Sequence, residues 1–180
     1  MYRVAIYLLQ RWWHDYPRMV DALKVLLLTW NGAFYRYGPF DEERLERCLR
    51  RHWRLVGAFR GRKIQTFGKN DYPDVIRLFN ALLPALRIKT GSNRGSESPV
   101  SVAKTLHLLA PGFFPPWDSA IARRYRCTYT SHPARAYLRF CEEMRSRAMS
   151  LRTKGMSPRH LLKRIDEYNY VKYTKKRSLG

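Results

Sequence analysis

The residue best placed to do chemistry is Asp118, a carboxylate that follows two prolines and a tryptophan and precedes a helix-like stretch carrying Arg123 and Arg124. Two interpretations of Asp118 are open. As an N-cap, its carboxylate accepts hydrogen bonds from the first free N–H groups of the helix and complements the helix dipole. As a catalytic group, it is aimed at a nucleic-acid backbone by Pro115-Pro116, which fix the backbone φ angles ahead of it.

The charge of the chain indicates the kind of partner. Its 180 residues include 35 Lys plus Arg against 14 Asp plus Glu, a formal net charge of +21. Such a surface attracts polyanions at long range and makes their binding steeply salt-dependent. A hydrophobic content of 45% excludes a disordered basic tail. The remaining alternative is an excess of cations that serves only solubility.

The cysteines indicate the compartment. Cys48, Cys127 and Cys141 are odd in number and widely spaced, which is typical of a reducing environment without a disulfide framework. No Cys/His set has the spacing of a zinc site, so we predict neither a metal nor a cofactor. No apolar run approaches the ~18 residues of a membrane span, and the N-terminal apolar stretch is too short for a signal peptide. We therefore expect a cytoplasmic protein without membrane contact.

Apolar side chains recur at helical spacing along most of the chain, and no segment alternates like a strand. We predict an all-α fold, a compact bundle of about seven to nine helices in one domain over residues 1–172, followed by a basic flexible tail at 173–180. Its core is a helix pair over residues 98–126. Loops are predicted over residues 33–38 and 57–70, and the last helix is predicted to begin at Ser157-Pro158.

This core pair resembles the centre of the helix-hairpin-helix DNA glycosylases, a base-excision superfamily. In that family a helix that begins near an Ala leads through a Phe-Pro or Val-Pro turn to an Asp, followed by an apolar residue and often an Arg. The corresponding positions here are Ala103, Phe114-Pro115, Asp118, Ile121 and Arg123. The spacing of 15 residues from the Ala to the Asp is close to that of the adenine-specific branch. The resemblance covers about 30 of the 180 residues.

The chain departs from the family pattern in two places. The Leu-Pro-Gly-Val-Gly run that usually precedes the Ala reads Gly-Ser-Glu-Ser-Pro-Val-Ser over residues 95–101, so the hairpin is degenerate. Gly91, Gly95 and the Ser98-Pro99 helix start are the candidates for a variant phosphate-binding turn. Ser101 stands where the bifunctional members carry a lyase Lys, which implies a monofunctional enzyme. Three cysteines also exclude the four-Cys iron–sulfur cluster of some members.

The resemblance implies a monomeric DNA glycosylase that hydrolyses the N-glycosidic bond of a damaged or modified base flipped out of double-stranded DNA, in the nucleoid. Asp118 is then the catalytic residue. Its carboxylate stabilises the oxocarbenium-like charge on the sugar and orients or deprotonates the attacking water. The short chain and the missing cluster favour a specialised target, such as a modified base in foreign (phage) DNA.

Candidate base-pocket residues are aromatic and imidazole side chains near the core pair or in the 33–38 loop. Stacking on an unpaired base contributes about 1–3 kcal/mol per contact. Packing is the alternative interpretation for each, because aromatics dominate cores as well as sites, and a lone His on an apolar helix is usually a core residue. The set is Trp30, Tyr35, Tyr37, His107 and Trp117.

Candidate DNA contacts are polar and basic side chains that flank the core pair or follow one arginine-rich helix. Five arginines lie within residues 44–54, and the acidic residues of that helix are confined to its start. This pattern favours a phosphate-facing surface over a solvated charged face. The set is Ser98, Ser101, Lys104, Arg123, Arg124, Arg50 and Arg54.

Two other functions remain open. A non-catalytic helical binder of DNA or structured RNA explains the charge and the aromatic residues equally well. It does not explain why a stiff turn should present a carboxylate to a polyanion. A nuclease is less favoured, because the sequence contains no clustered carboxylates suited to Mg²⁺.

Overall fold

The computed structural model describes residues 2–151 and 158–175, and within them it contains nine α-helices and no β-strand. The all-α prediction is confirmed for this part of the chain. The helices are α1 (Tyr2–Arg11), α2 (Tyr16–Trp30), α3 (Gly32–Tyr35), α4 (Glu42–Arg60), α5 (Tyr72–Ala85), α6 (Pro99–Leu109), α7 (Ser119–Arg124), α8 (Pro133–Ser150) and α9 (Pro158–Asn169).

The central helix is α6. Eight of its eleven residues are buried, and it packs against α1, α2, α5 and α8. A helix surrounded on several sides has little solvent-facing surface, so its sequence is apolar nearly all round. Pro99 begins the helix, where its missing N–H is no loss, and the Ser98 hydroxyl caps it by accepting from the Ser101 N–H (3.2 Å).

The turn between α6 and α7 is held by buried contacts. Phe113 and Phe114 are fully buried, and their rings lie 4.8 and 5.1 Å from the ring of Phe59. The Tyr137 hydroxyl donates a hydrogen bond to the Pro115 carbonyl (2.9 Å). Because this segment also contains two consecutive prolines, its backbone is stiff. The carboxylate that ends the turn therefore has a fixed position.

Two predicted loops contain helix. α4 continues through Gly57 to Arg60, because Val56 and Phe59 are buried and anchor its last turns. Gly57 itself is exposed, and its cost of about 1 kcal/mol relative to Ala is outweighed by these anchors. The segment 33–38 begins inside α3, so only its second half is a loop.

The chain remains helical after α9. Tyr170–Thr174, here called the C-terminal extension, continues the helix in π-helical form and packs against α7. Tyr173 and Thr174 thus belong to a packed helix and not to the predicted tail. The predicted helix start at Ser157 and the rest of the predicted tail, residues 176–180, lie outside the described residues.

Candidate functional site

A cleft of about 950 Å³ opens where the end of α2, the start of α6 and the start of α7 meet α9 and the C-terminal extension. Its volume is within the range of pockets that bind small ligands. Aromatic side chains line it together with three carboxylates and two lysines. The lining includes Trp30, Phe34, Ser98, Lys104, Trp117, Asp118, Tyr129, Lys163, Asp166, Glu167 and Thr174.

Asp118 is both an N-cap and a residue of the cleft. Its Oδ1 accepts a hydrogen bond from the Ile121 N–H (2.7 Å), which caps α7. Its Oδ2 accepts from the Thr174 hydroxyl of the C-terminal extension (3.0 Å). The side chain is half-buried and lines the cleft. Capping by one oxygen therefore orients the carboxylate, while the other oxygen lies where the C-terminal extension meets the cleft.

Lys104 lies in the same cleft, where its ammonium group donates a hydrogen bond to the Trp30 carbonyl. Burial lowers the pKa of this amine to about 8, and the nearby carboxylates of Asp118 and Asp166 oppose that shift. Lys104 therefore releases its proton more readily than an exposed lysine does.

The sequence did not point to the charged residues that α9 contributes to the cleft. The Lys163 ammonium forms an ion pair with Asp166 (2.9 Å) and lies 5.1 Å from the ring centroid of Trp30. Burial raises the pKa of Asp166, and the charge of Lys163 opposes this effect. Lys163, Asp166 and Glu167 are spaced as i, i+3 and i+4, which places them on one helix face. That spacing is the sequence signal from which they could be identified.

Two of the predicted base-pocket residues, Trp30 and Trp117, line the cleft. Trp30 is half-buried and stacks on Tyr2, with ring centroids 5.5 Å apart and the planes within 8°. Trp117 is 1% exposed and packs against Tyr129 and Tyr137, at centroid distances of 4.9 and 5.5 Å. Trp30 thus offers ring surface to a ligand, whereas Trp117 mainly supports the wall from behind.

The other predicted pocket residues do not line the cleft. Tyr35 is buried in the core, where its hydroxyl donates to the Leu86 carbonyl (2.9 Å) and burial raises its pKa. Tyr37 is 53% exposed and lies outside the cleft lining. His107 is fully buried within α6. The packing interpretation therefore applies to Tyr35 and His107, and neither can stack on a base in the cleft.

His107 uses both ring nitrogens in hydrogen bonds. Nδ1 lies 2.8 Å from the Phe114 carbonyl and so carries the proton, and Nε2 accepts from the Tyr2 hydroxyl (3.0 Å). Burial lowers the pKa of the imidazole to about 4, an effect that the bond to Phe114 only partly offsets. The neutral ring thus links α1, α6 and the turn that leads to Asp118.

The neutral state of His107 is expected to make stability depend on pH. Its pKa of about 4 lies below the ordinary 6.5, so between these values the unfolded chain binds a proton that the folded chain does not. The contribution of neutral His107 to the free energy of unfolding, up to roughly 3 kcal/mol, is complete above pH 6.5 and is lost as the pH falls toward 4. Denaturant unfolding at neutral and acidic pH measures this change.

The matched controls for this prediction are two histidine substitutions. His107→Gln retains a donor and an acceptor and should flatten the pH dependence between 6.5 and 4. His132→Gln alters an exposed histidine and should leave the dependence unchanged. An unchanged pH dependence in His107→Gln would contradict the assignment.

The two predicted serine contacts are engaged within the protein. The Asn31 side-chain amide donates to the hydroxyls of Ser101 (2.7 Å) and Ser98 (3.0 Å). Ser101 is fully buried, so it is not available to a DNA phosphate, contrary to the prediction. Ser98 lies at the cleft as the cap of α6. The Asn31–Ser101 contact joins residues 70 apart, which local sequence patterns do not reveal.

The predicted arginine contacts lie outside the cleft. Arg123 and Arg124 are exposed on α7 but do not line it, and the Arg124 guanidinium lies 5.4 Å from the ring centroid of Tyr173. Arg50 and Arg54 line a separate groove on α4. The cleft and the arginine-rich surfaces are therefore distinct.

The glycines proposed for a variant phosphate-binding turn have internal roles. Gly91 has φ +83°, and a Cβ there would lie 2.1 Å from the Tyr37 carbonyl oxygen. Close packing therefore requires a glycine at this position. Gly95 has φ +88°, and its N–H donates to the Ile88 carbonyl (2.9 Å), so that N–H is not free to bind a phosphate.

In the described ranges 2–151 and 158–175, no three His, Cys, Asp or Glu side chains are grouped in a way that could hold a metal ion. None of the described helices is both long and apolar enough to cross a membrane. Searches for a matching family model, for similar curated proteins and for similar solved structures find no match to the chain.

Proposed function

We propose that the chain is a monofunctional DNA glycosylase that hydrolyses the N-glycosidic bond of a damaged or modified base, with Asp118 as its catalytic residue. The observation that carries this proposal is the Asp118 carboxylate at the wall of a cleft of about 950 Å³, held there by a stiff turn and an N-cap bond. The resemblance of residues 98–126 to the glycosylase core favours the same assignment.

The role of Asp118 follows from the charge that the reaction creates. As the bond between C1′ and the base nitrogen breaks, its electron pair leaves with the base and positive charge develops on the deoxyribose ring. A carboxylate already oriented by the Ile121 N–H stabilises this charge without reorganising. Water then attacks C1′, its oxygen forms the new bond, and its proton passes to Asp118.

We assign to Lys104 the role of donating a proton to the departing base. Its ammonium group lies in the same cleft, and its pKa of about 8 leaves it mostly protonated at neutral pH. A donor with a pKa close to the working pH transfers a proton efficiently. Proton transfer from Lys104 would neutralise the negative charge that the leaving base carries away.

The lining of the cleft suits a base that has left the helical stack. Extruding a nucleotide costs a few kcal/mol, which contacts to the flipped base must offset. The half-buried ring of Trp30 and the neighbouring Phe34 provide aromatic surface at the cleft. The net charge of +21 supplies attraction to the DNA backbone that does not depend on sequence.

A panel of oligonucleotide duplexes tests the proposed function. Each duplex carries one damaged or modified base, including modified bases typical of phage DNA, and each is treated with alkali after incubation with the protein. Alkali breaks the strand wherever a base has been removed. Strand breaks at one class of base establish the activity and its substrate, and intact strands throughout a wide panel reject it.

Borohydride should trap no covalent adduct between the protein and the DNA. A lyase forms an imine between a neutral amine and the sugar, and Ser101 stands where the bifunctional glycosylases carry the Lys that supplies this amine. The Lys104 amine of the same cleft is engaged in a hydrogen bond to the Trp30 carbonyl. The measurement is a gel-shift assay on substrate duplex with borohydride present. An adduct that is lost in Lys104→Gln but kept in Lys163→Gln would make the enzyme bifunctional.

One observation favours a second candidate, a non-catalytic binder of DNA or structured RNA. Both oxygens of Asp118 already have partners, the Ile121 N–H and the Thr174 hydroxyl. A carboxylate engaged in this way could serve structure alone. Salt-dependent binding without abasic product over the whole panel would support the binder.

A further inference from the structure

A second charged surface lies on α4, away from the cleft, and is here called the α4 groove. It has a volume of about 570 Å³ and shares no lining residue with the cleft. Tyr16 of α2, Arg77 of α5 and the α4 residues Arg50, Arg51, Trp53 and Arg54 form most of its lining, which includes no carboxylate. Three helices thus bring four guanidinium groups to one concave surface.

The positive charge of the α4 groove is only partly neutralised. Arg50 pairs with Glu46 (2.7 Å), and Arg77 lies 3.9 Å from Asp74. Arg51 and Arg54 form no ion pair with any carboxylate of the described residues. Two arginines are therefore available to an external anion.

A neighbouring histidine responds to this charge. The pKa of His52, which also lines the groove, is lowered by burial and further by the charges of Arg51 and Arg77. The protonated, positively charged form of His52 is disfavoured, as expected where neighbouring arginines make the local potential positive.

Packed aromatic side chains give the α4 groove a rigid support. The Arg50 guanidinium lies over the Tyr16 ring, 4.4 Å from its centroid. Tyr16 meets Trp53 edge to face at 5.3 Å, and Trp53 contacts Trp13 at 4.4 Å. Planar guanidinium groups on a rigid support retain more of their binding energy, because fewer rotamers are lost when a phosphate binds.

We propose that the α4 groove binds the phosphodiester backbone of DNA, as a second contact separate from the cleft. The choice of DNA rests on the proposed function. Tyr16 and Trp30 are the first and last residues of α2, so the groove and the cleft lie roughly 20 Å apart at 1.5 Å per helical residue. At 3.4 Å per base pair along each strand, about six base pairs of a duplex would separate its contact with the α4 groove from its contact with the cleft.

The salt dependence of binding tests this proposal without any catalysis. The variant is Arg51→Gln/Arg54→Gln, and the probe is an unmodified labelled duplex of about 24 base pairs. The slope of log K against log salt is negative, and each lost phosphate contact reduces its magnitude by about 0.9, so the double variant should reduce the magnitude by about 1.8. The control Arg94→Gln/Arg135→Gln removes the same charge at exposed positions outside both surfaces and should keep the wild-type slope.

The outcomes separate this inference from the proposed function. A reduced slope specific to the α4 groove variant supports the DNA contact, even if the duplex panel shows no base excision. An unchanged slope, or an equal reduction in the control, overturns the inference even if excision is observed. Tighter binding of structured RNA than of duplex, lost in the same variant, would also overturn the assignment to DNA.

Discussion

Asp118→Asn is expected to lower the rate of base excision by roughly 100- to 1000-fold while the protein stays folded. The substitution removes the negative charge that, in the proposed mechanism, stabilises the developing oxocarbenium ion. It keeps the cap of α7, because the amide oxygen of Asn can still accept the hydrogen bond from the Ile121 N–H. Single-turnover excision on the substrate found in the duplex panel measures the rate, and a thermal melt measures the fold.

Two further substitutions test whether excision depends on the carboxylate of Asp118 in particular or on any negative charge of the protein. Asp21→Asn removes an exposed carboxylate of α2 that lies outside both the cleft and the α4 groove, and it should leave excision unchanged. Thr174→Val removes the hydrogen bond to Oδ2 but keeps the carboxylate, so excision should persist. Retained excision in Asp118→Asn would remove this residue from the mechanism and leave only the cap.

The sequence predicts the central part of the fold because its signals there are local. Ser98 and Pro99 mark the start of α6, an apolar stretch fills it, and consecutive prolines mark the turn that follows. These features depend on residues a few positions apart, and the structure has each of them. The N-cap interpretation of Asp118 is confirmed, and the residue also lines the cleft, so its catalytic role stays a prediction.

The rest of the cleft depends on contacts between distant parts of the chain. Thr174 and Asp118 are 56 residues apart, and Asn31 and Ser101 are 70 apart. Composition cannot tell whether an aromatic residue such as Tyr35 faces a ligand or the core, because both environments favour aromatic side chains. Burial by surrounding helices decides that question, and here it places Tyr35 in the core.

The two tryptophans of the cleft should respond in opposite ways to substitution. Trp117→Ala is expected to lower the free energy of unfolding by about 3–5 kcal/mol, because Trp117 is 1% exposed and its removal leaves a large cavity beside Tyr129 and Tyr137. Trp117→Phe should cost much less. It keeps most of the packing, and the indole N–H that it removes has no hydrogen-bond partner among the described residues.

Trp30→Ala is the matched comparison. Trp30 is half-buried, so its loss should cost less stability than that of Trp117, while loss of a stacking surface should lower excision by roughly tenfold or more. Denaturant unfolding and single-turnover excision, measured on both alanine variants, separate the two roles. If Trp117→Ala were as stable as the wild type but inactive, Trp117 would be the base-stacking residue. The cleft would then have to open further than the packing of Trp117 against Tyr137 and Phe140 allows.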